Sequence, residues 1–395
     1  MKLRHFASVD DMIATLRPDN PVYCLRPKEL ARSAAHFLDL FPGRVLYAVK
    51  CNPHPEILKA FYKAGIRHFD TASLTEIATI RELFADADCY FMHPVKSRRA
   101  IRTAHDVYRV DHYVIDHEKE LQKLVDVTGG GDGRVVIVRI KTPQHDAAFK
   151  LSEKFGIEPE GAVDLLTKVS QAGFQTGLAF HVGSQIRTPQ AFVEALQVVK
   201  DIADKAKVNL HYLDVGGGFP AAYVGEDADG LETFVRAIRV ARDKVKLRGD
   251  CTLMCEPGRA MVASGVSVVA QVHLRKDNAL YLNDGIYHSL GEALQVGLQY
   301  PMRGIRLNGK LSGKTLPFRM FGPTCDSTDV LPYTVDLPED IEEGDWIEIG
   351  QMGAYTNSMT TRFNGFFAET YVTVDTPPLT PIFNREKNGS AVELV

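Results

Sequence analysis

The chain has 395 residues, 45% of them hydrophobic, and a formal net charge of -4 with both signs intermixed. That length and apolar fraction can bury a large core, as two domains or as one large barrel with an appendage. The mixed charge argues against nucleic acid or an anionic membrane as a main partner, which leaves a small-molecule enzyme as the default. Met1 to Asp10 hold no apolar run of signal-peptide length, and no later segment reaches membrane-spanning length, so a cytoplasmic protein is expected.

The six cysteines, at 24, 51, 89, 251, 255 and 325, have no disulfide-framework spacing and no Cys-x-x-Cys pair, so reduced thiols are expected. Thirteen histidines lie scattered without His-Glu-x-x-His or similar spacing, and no metal site is expected.

In chain order, residues 1–26, with the run Pro21-Val22-Tyr23-Cys24-Leu25, are expected to return and pair with a later sheet. From 44 to 256, short β-rich runs alternate with segments of helical period. The expected strands are 44–49, 66–70, 88–92, 112–115, 135–140, 178–181, 210–215 and 252–256. Between them, 54–64, 73–85, 117–127, 160–172, 189–206 and 230–247 carry apolar residues three and four apart, as helices packed on a sheet do. Eight such strands predict a (β/α)8 TIM-like barrel over residues 27–265, with an open doubly wound sheet as the alternative. After 265 the alternation stops. Val266 to Leu274, Ala279 to Asn283, Thr315 to Met320, Trp346 to Ile349 and Glu369 to Val374 predict a C-terminal all-β domain over 266–376, followed by a loosely ordered tail, 377–395.

Polar residues collect at the carboxyl ends of the expected strands: Lys50, Asp70, Arg139, His181, Gly216 to Gly218 and Glu256. In a (β/α)8 barrel that rim holds the active site. Lys50 follows an apolar run in Tyr47-Ala48-Val49-Lys50-Cys51-Asn52-Pro53. Desolvation there lowers an amine's pKa and suits a Schiff-base nucleophile, although a strand-end lysine reaching solvent gives the same string. Gly216-Gly217-Gly218 leave backbone N–H groups open to an anion such as phosphate, or form only a tight turn. The triplet lacks both the P-loop Lys-Ser/Thr and dinucleotide spacing. Glu256-Pro257-Gly258-Arg259 offers a fixed carboxylate for a protonated ring nitrogen and an arginine for the anion, or a Glu–Arg ion pair capping the barrel. His181, followed by Ser184, is a planar cover for a ring or a structural imidazole. A lysine for an imine, a glycine turn, an acid and a planar group are together the requirements of pyridoxal 5′-phosphate.

These segments, with Phe69-Asp70-Thr71-Ala72-Ser73 and Glu76, Leu151-Ser152, Lys154-Phe155-Gly156, Gly322-Pro323-Thr324-Cys325-Asp326 and Gly353-Ala354-Tyr355, resemble in order the ornithine/lysine decarboxylases of the alanine-racemase-fold group, from about residue 20 to 375. The resemblance implies a pyridoxal-phosphate-dependent amino-acid decarboxylase that turns L-ornithine into putrescine, L-lysine into cadaverine, or both, in polyamine biosynthesis. It implies that Lys50 holds the cofactor, Glu256 its ring nitrogen and His181 its face. Ser184, Gly217, Gly218, Gly258, Arg259 and Tyr355 would take the phosphate side, while Asp70, Glu76 and Arg139 would order the lysine side. It further implies a homodimer with shared active sites, in which Cys325 donates a proton at the substrate carbon while Asp326 and Tyr287 bind substrate in the other subunit's site. Without the resemblance Cys325 reads as a buried, inert thiol, the usual fate of a lone cysteine.

The pattern departs at the turn after Asn283-Asp284-Gly285-Ile286-Tyr287, where the family presents an aspartate to the distal amine. Here Gln295 or Val296 falls near that place, and Glu292, the nearest acid, is expected either to replace it or to face solvent. Arginine or diaminopimelate decarboxylation, an amino-acid racemase and a noncatalytic regulatory homologue are the rival readings. The racemase would need a second catalytic base, and the regulator would have lost cofactor residues.

Overall fold

The computed structural model of the protein describes residues 3–142, 154–245 and 250–381. Leu151-Ser152 and most of the expected tail lie outside them. Two short strands, β1 (Arg4–Phe6) and β2 (Val22–Leu25), precede eight parallel ones: β3 (Arg44–Ala48), β4 (His68–Thr71), β5 (Asp88–Phe91), β6 (His112–Ile115), β7 (Val135–Arg139), β8 (Gln175–Ala179), β9 (Tyr212–Asp214) and β10 (Thr252–Cys255). Because β10 pairs with β3 (Met254 opposite Arg44, Cys255 opposite Val45) as well as with β9, the sheet closes into a barrel. That closure excludes the doubly wound alternative.

Pleating explains why these strands are almost wholly apolar. In β3, Leu46 points into the barrel with Tyr90, Met92, Val114, Val135, Ile137, Ala179 and Met254, whereas Val45 and Tyr47 pack outward among the helices. Burying each such side chain fully stabilises the fold by about 1.5–3 kcal/mol. The covering helices include Pro55–Lys63, Leu74–Leu83, Glu118–Thr128, Pro159–Gln171, Gln190–Ala206 and Leu231–Lys244.

Boundaries and omissions have local causes. β8 begins at Gln175, three residues before the expected start, because Gln175-Thr176-Gly177 shows no apolar run although it pairs in register with Val135 to Ile137. Helix Arg98–Asp106 was not foreseen, since only Ile101 and Ala104 of it are buried.

The second unit is a nine-stranded sheet built on β11 (Val266–Lys276) with β12 (Ala279–Leu282), β13 (Met302–Ile305), β14 (Thr315–Phe321), β15 (Val330–Pro338), β16 (Trp346–Ile349) and β17 (Thr370–Val374). β2 lies between β11 and β17, and β1 pairs with β17. β13 and β15 escaped the sequence pattern. β13 carries Arg303-Gly304, and β15 carries Pro332 and Pro338, which a sheet tolerates only at its edge, where β15 pairs with β14 alone. Arg26 and Glu348, both buried, form an ion pair at 2.6 Å that Ser267 Oγ also joins. A loop of this sheet returns to the barrel rim, where Tyr355 N–H donates to Cys51 O at 2.8 Å and Asn52 Nδ2 to Gly353 O at 2.8 Å.

Candidate active site

The carboxyl ends of the barrel strands open into a cavity of about 560 Å³. Lys50, Asp70, Arg139, His181, Ser184, Gly217, Gly218, Glu256, Gly258, Arg259, Glu292 and Tyr355 all line it. Each arrives by a local route. Lys50 sits in the one-turn segment Val49–Cys51 directly after β3, and Asp70, opposite Ala48, is the last residue of β4 paired with β3. Glu76 does not line the cavity; Ser73 caps Leu74–Leu83 by accepting Glu76 N–H, and Glu76 Oε2 accepts Ala72 N–H at 2.6 Å, which ties the helix start to the end of β4.

Lys50 Nζ meets Asp70 Oδ2 at 2.7 Å. Desolvation alone would lower the amine's pKa, as expected from sequence, but the nearby Asp70 and Glu256 carboxylates outweigh it and hold the pKa above the ordinary lysine value. The sequence expectation of a depressed amine is therefore corrected. It counted the apolar strand and not the acids that other strands bring to the same rim.

Two buried acids meet on the far side. Asp214 Oδ1 accepts Gly216 N–H at 2.8 Å, and its carboxyl group interacts with that of Glu256. Asp214 Oδ2 has no donor within the described residues, so the pair is satisfied when one acid carries a proton. Burial pushes Asp214 up to about 6, and burial followed by the Asp214 charge holds Glu256 well above the usual carboxylate range. Asp214 was not singled out from sequence, where it reads as an ordinary residue near the end of the strand expected over 210–215. His181 is neutral. Burial first, then Arg139 and Lys50, hold its imidazole well below the usual range, and its Nδ1 accepts Gly183 N–H at 3.1 Å.

The residues fit a phosphorylated ring. A Cβ on Gly217 would stand 2.7 Å from Glu256 O, and one on Gly218, at φ +108°, 2.6 Å from Gly183 O, so only glycines allow this turn. Arg259 is buried, and its Nε has no hydrogen-bond partner among the described residues. A buried orphan donor beside a glycine turn is suited to an anionic oxygen. Tyr355 is held at φ +63°, a left-handed conformation maintained by its bond to Cys51.

Cys325, Asp326 and Tyr287 are not in this chain's cavity. Cys325 is the exposed one of six unpaired cysteines, with Sγ 3.4 Å from Asn364 Oδ1, and Tyr287 Oη donates to Asp326 Oδ2 at 2.7 Å. Glu292 is buried, which removes the solvent-facing alternative; both its oxygens bond Arg259. Arg259 is thus paired with Glu292 and not with Glu256, as the barrel-capping alternative required.

A closed parallel barrel with lysine, acid and anion cradle at its rim, joined to a sheet that returns a tyrosine to that rim, defines the alanine-racemase-like class of pyridoxal phosphate enzymes. Residues 28–263 match the family model of the pyridoxal-dependent decarboxylases, pyridoxal binding domain, and the chain belongs to that decarboxylase family. It is 36% identical over 345 residues to the lysine/ornithine decarboxylase of Selenomonas ruminantium, covering 84% of each. Among solved structures, the lysine/ornithine decarboxylase of Vibrio vulnificus complexed with cadaverine is similar at a TM-score of 0.81 and 28% identity, over 94% of this chain and 100% of that one. The arginine decarboxylase of Paramecium bursaria Chlorella virus is similar at 0.82 and 27%, over 92% and 99%.

Proposed function

We propose that the protein decarboxylates a basic L-amino acid, L-ornithine to putrescine, L-lysine to cadaverine, or both, as a step in polyamine biosynthesis. The observation that carries this is the convergence of Lys50, Glu256 and the orphan Nε of Arg259 on one cavity. Lys50 would hold the cofactor through its amine, Glu256 its ring nitrogen and His181 its face. Ser184, Gly217, Gly218, Gly258, Arg259 and Tyr355 would hold the phosphate, and Asp70, Glu76 and Arg139 would order the lysine side.

Pyridoxal phosphate, when bound, supplies the electron sink for the pair released as CO2 departs. The chain's own residues do the rest. Glu256, buried beside Asp214, would hold a proton at the ring nitrogen, and Asp70 would hold one at the Lys50 nitrogen. Met92, Phe155 and Met359 line the cavity and keep water from the carboxylate to be lost.

The enzyme so proposed is a homodimer with shared sites, and it is cytoplasmic. In the dimer, Cys325 returns a proton to the substrate carbon, and Asp326 and Tyr287 receive the distal amine. Exposure of Cys325 outside its own chain's cavity supports the first, and six unpaired cysteines support the second. We take residues 27–265 as the cofactor-binding barrel and 266–376, with 1–26, as the β domain. Radiolabelled CO2 release from L-ornithine and L-lysine by the cofactor-loaded protein tests the proposal; a loaded protein that releases none from either would overturn it.

A further inference from the structure

Arg259 is forked onto Glu292. Its Nη1 and Nη2 donate to Glu292 Oε2 and Oε1 at 2.7 and 2.6 Å, and Nη1 also reaches Tyr223 Oη at 3.1 Å. Both charged side chains are 4% exposed and both line the cavity. They come from different parts of the fold, Arg259 from the barrel rim after β10 and Glu292 from the short helix Gly291–Gln295. The guanidinium lies over the rings of Tyr355 and Tyr223, at 5.0 and 5.8 Å from the centroids, so its remaining N–H groups, on Nε and the second on Nη2, are directed by the fork. Each Glu292 oxygen already accepts from Arg259, so a distal ammonium group would have to share the carboxylate with a buried guanidinium of like charge.

We propose that Glu292 is a positioning residue for the cofactor phosphate, acting through Arg259, and that it takes no part in choosing substrate length. This rests on the reading of the cavity as a pyridoxal phosphate site. With both Nη groups oriented by Glu292, Nε–H, the donor atom without a partner among the described residues, is the arginine's contact with a phosphate oxygen. Length selection then falls to groups other than this acid.

Two effects of removing the carboxylate oppose each other. Glu292→Gln loosens the guanidinium plane, which weakens phosphate binding, but it also removes a negative charge near the phosphate, which strengthens it. Orientation is the larger of the two effects.

The test is titration of the cofactor-stripped full chain, followed by visible absorbance, with pyridoxal 5′-phosphate and separately with pyridoxal, which lacks the phosphate. For Glu292→Gln the phosphorylated ligand is expected to bind roughly 10-fold to 100-fold more weakly. Pyridoxal affinity, and the ornithine-to-lysine ratio of kcat/KM at saturating cofactor, are each expected to stay within about twofold of the unsubstituted protein. Tighter or unchanged binding of the phosphorylated ligand would overturn the inference, as would an equal loss for both ligands or a tenfold change in the substrate ratio. Should Glu292→Gln not fold, Glu292→Asp, which keeps the charge but shortens the reach, must show the same selective loss. If the unsubstituted protein takes up neither ligand, the cofactor reading fails and this inference with it; if it takes up both and only the variant pattern differs, this inference fails alone.

Discussion

Lys50 Nζ and Asp70 Oδ2 stand 2.7 Å apart at the mouth of the barrel, and this contact joins the ends of two neighbouring strands. Desolvation lowers the pKa of this amine, but Asp70, together with Glu256, outweighs it and holds the pKa above the ordinary lysine value. An amine must be neutral to attack a carbonyl, so Asp70→Asn should shift the pH profile of cofactor capture toward lower pH and speed capture at neutral pH. The rate of appearance of the visible absorbance band, measured against pH, checks this; a profile that does not move would contradict it. The raised lysine pKa also carries a stability term. It is fully present below the unfolded value near 10.5 and is lost as pH rises through the folded one, so the Asp70→Asn stability deficit should be seen at neutral pH and fade only in strong alkali.

Asp214 sets a second pH window. Burial raises its pKa to about 6, against an unfolded value near 3.9. Between these the folded protein holds a proton that the unfolded chain has lost, so this group makes stability fall as pH rises from about 4 to about 6. Asp214→Asn keeps an acceptor for Gly216 N–H and removes the titration. The Tm of the cofactor-free variant should fall less across that window than that of the parent; equal slopes would show that Glu256 alone carries the proton.

Asp329 organises the patch that holds Cys325. Its buried carboxylate accepts Ile286 N–H at 3.0 Å, Thr324 N–H at 3.1 Å and Thr324 Oγ1–H at 2.7 Å, so one side chain ties the Tyr287 segment to the Cys325-Asp326 segment. Asp329→Ala orphans two backbone donors and should cost about 3 kcal/mol of stability. Denaturant unfolding measures it, and a cost below about 1 kcal/mol would contradict the buried network.

A shared-site dimer predicts complementation. Lys50→Ala and Cys325→Ala should each decarboxylate poorly alone. Mixed in equal amounts and allowed to exchange, they should recover about a quarter of full activity, because half the dimers are mixed and each has one intact site of two. No recovery after demonstrated exchange would place both residues in one subunit's site.

Much of this was legible because it is local. The barrel appears as apolar runs of strand length, and Gly216 to Gly218 and Glu256 to Arg259 announce themselves as polar and flexible residues just past a strand. What escaped depends on contacts distant in sequence. The sign of the Lys50 shift needed Asp70 and Glu256, which lie on other strands. The partner of Glu292 is Arg259, 33 positions away, and nothing in Gly291 to Gly297 points to it. Asp214 and Asp329 look like a strand end and a turn until their buried hydrogen bonds are seen. β15 was hidden by prolines that only an edge position accommodates.

The most direct test of the central claim is CO2 release by the cofactor-loaded protein, comparing kcat/KM for L-ornithine, L-lysine, L-arginine and meso-diaminopimelate in parallel. The account predicts turnover of ornithine, lysine or both well above the other two, abolished in Lys50→Ala. Cofactor uptake in the visible spectrum with no CO2 from any of the four would contradict it.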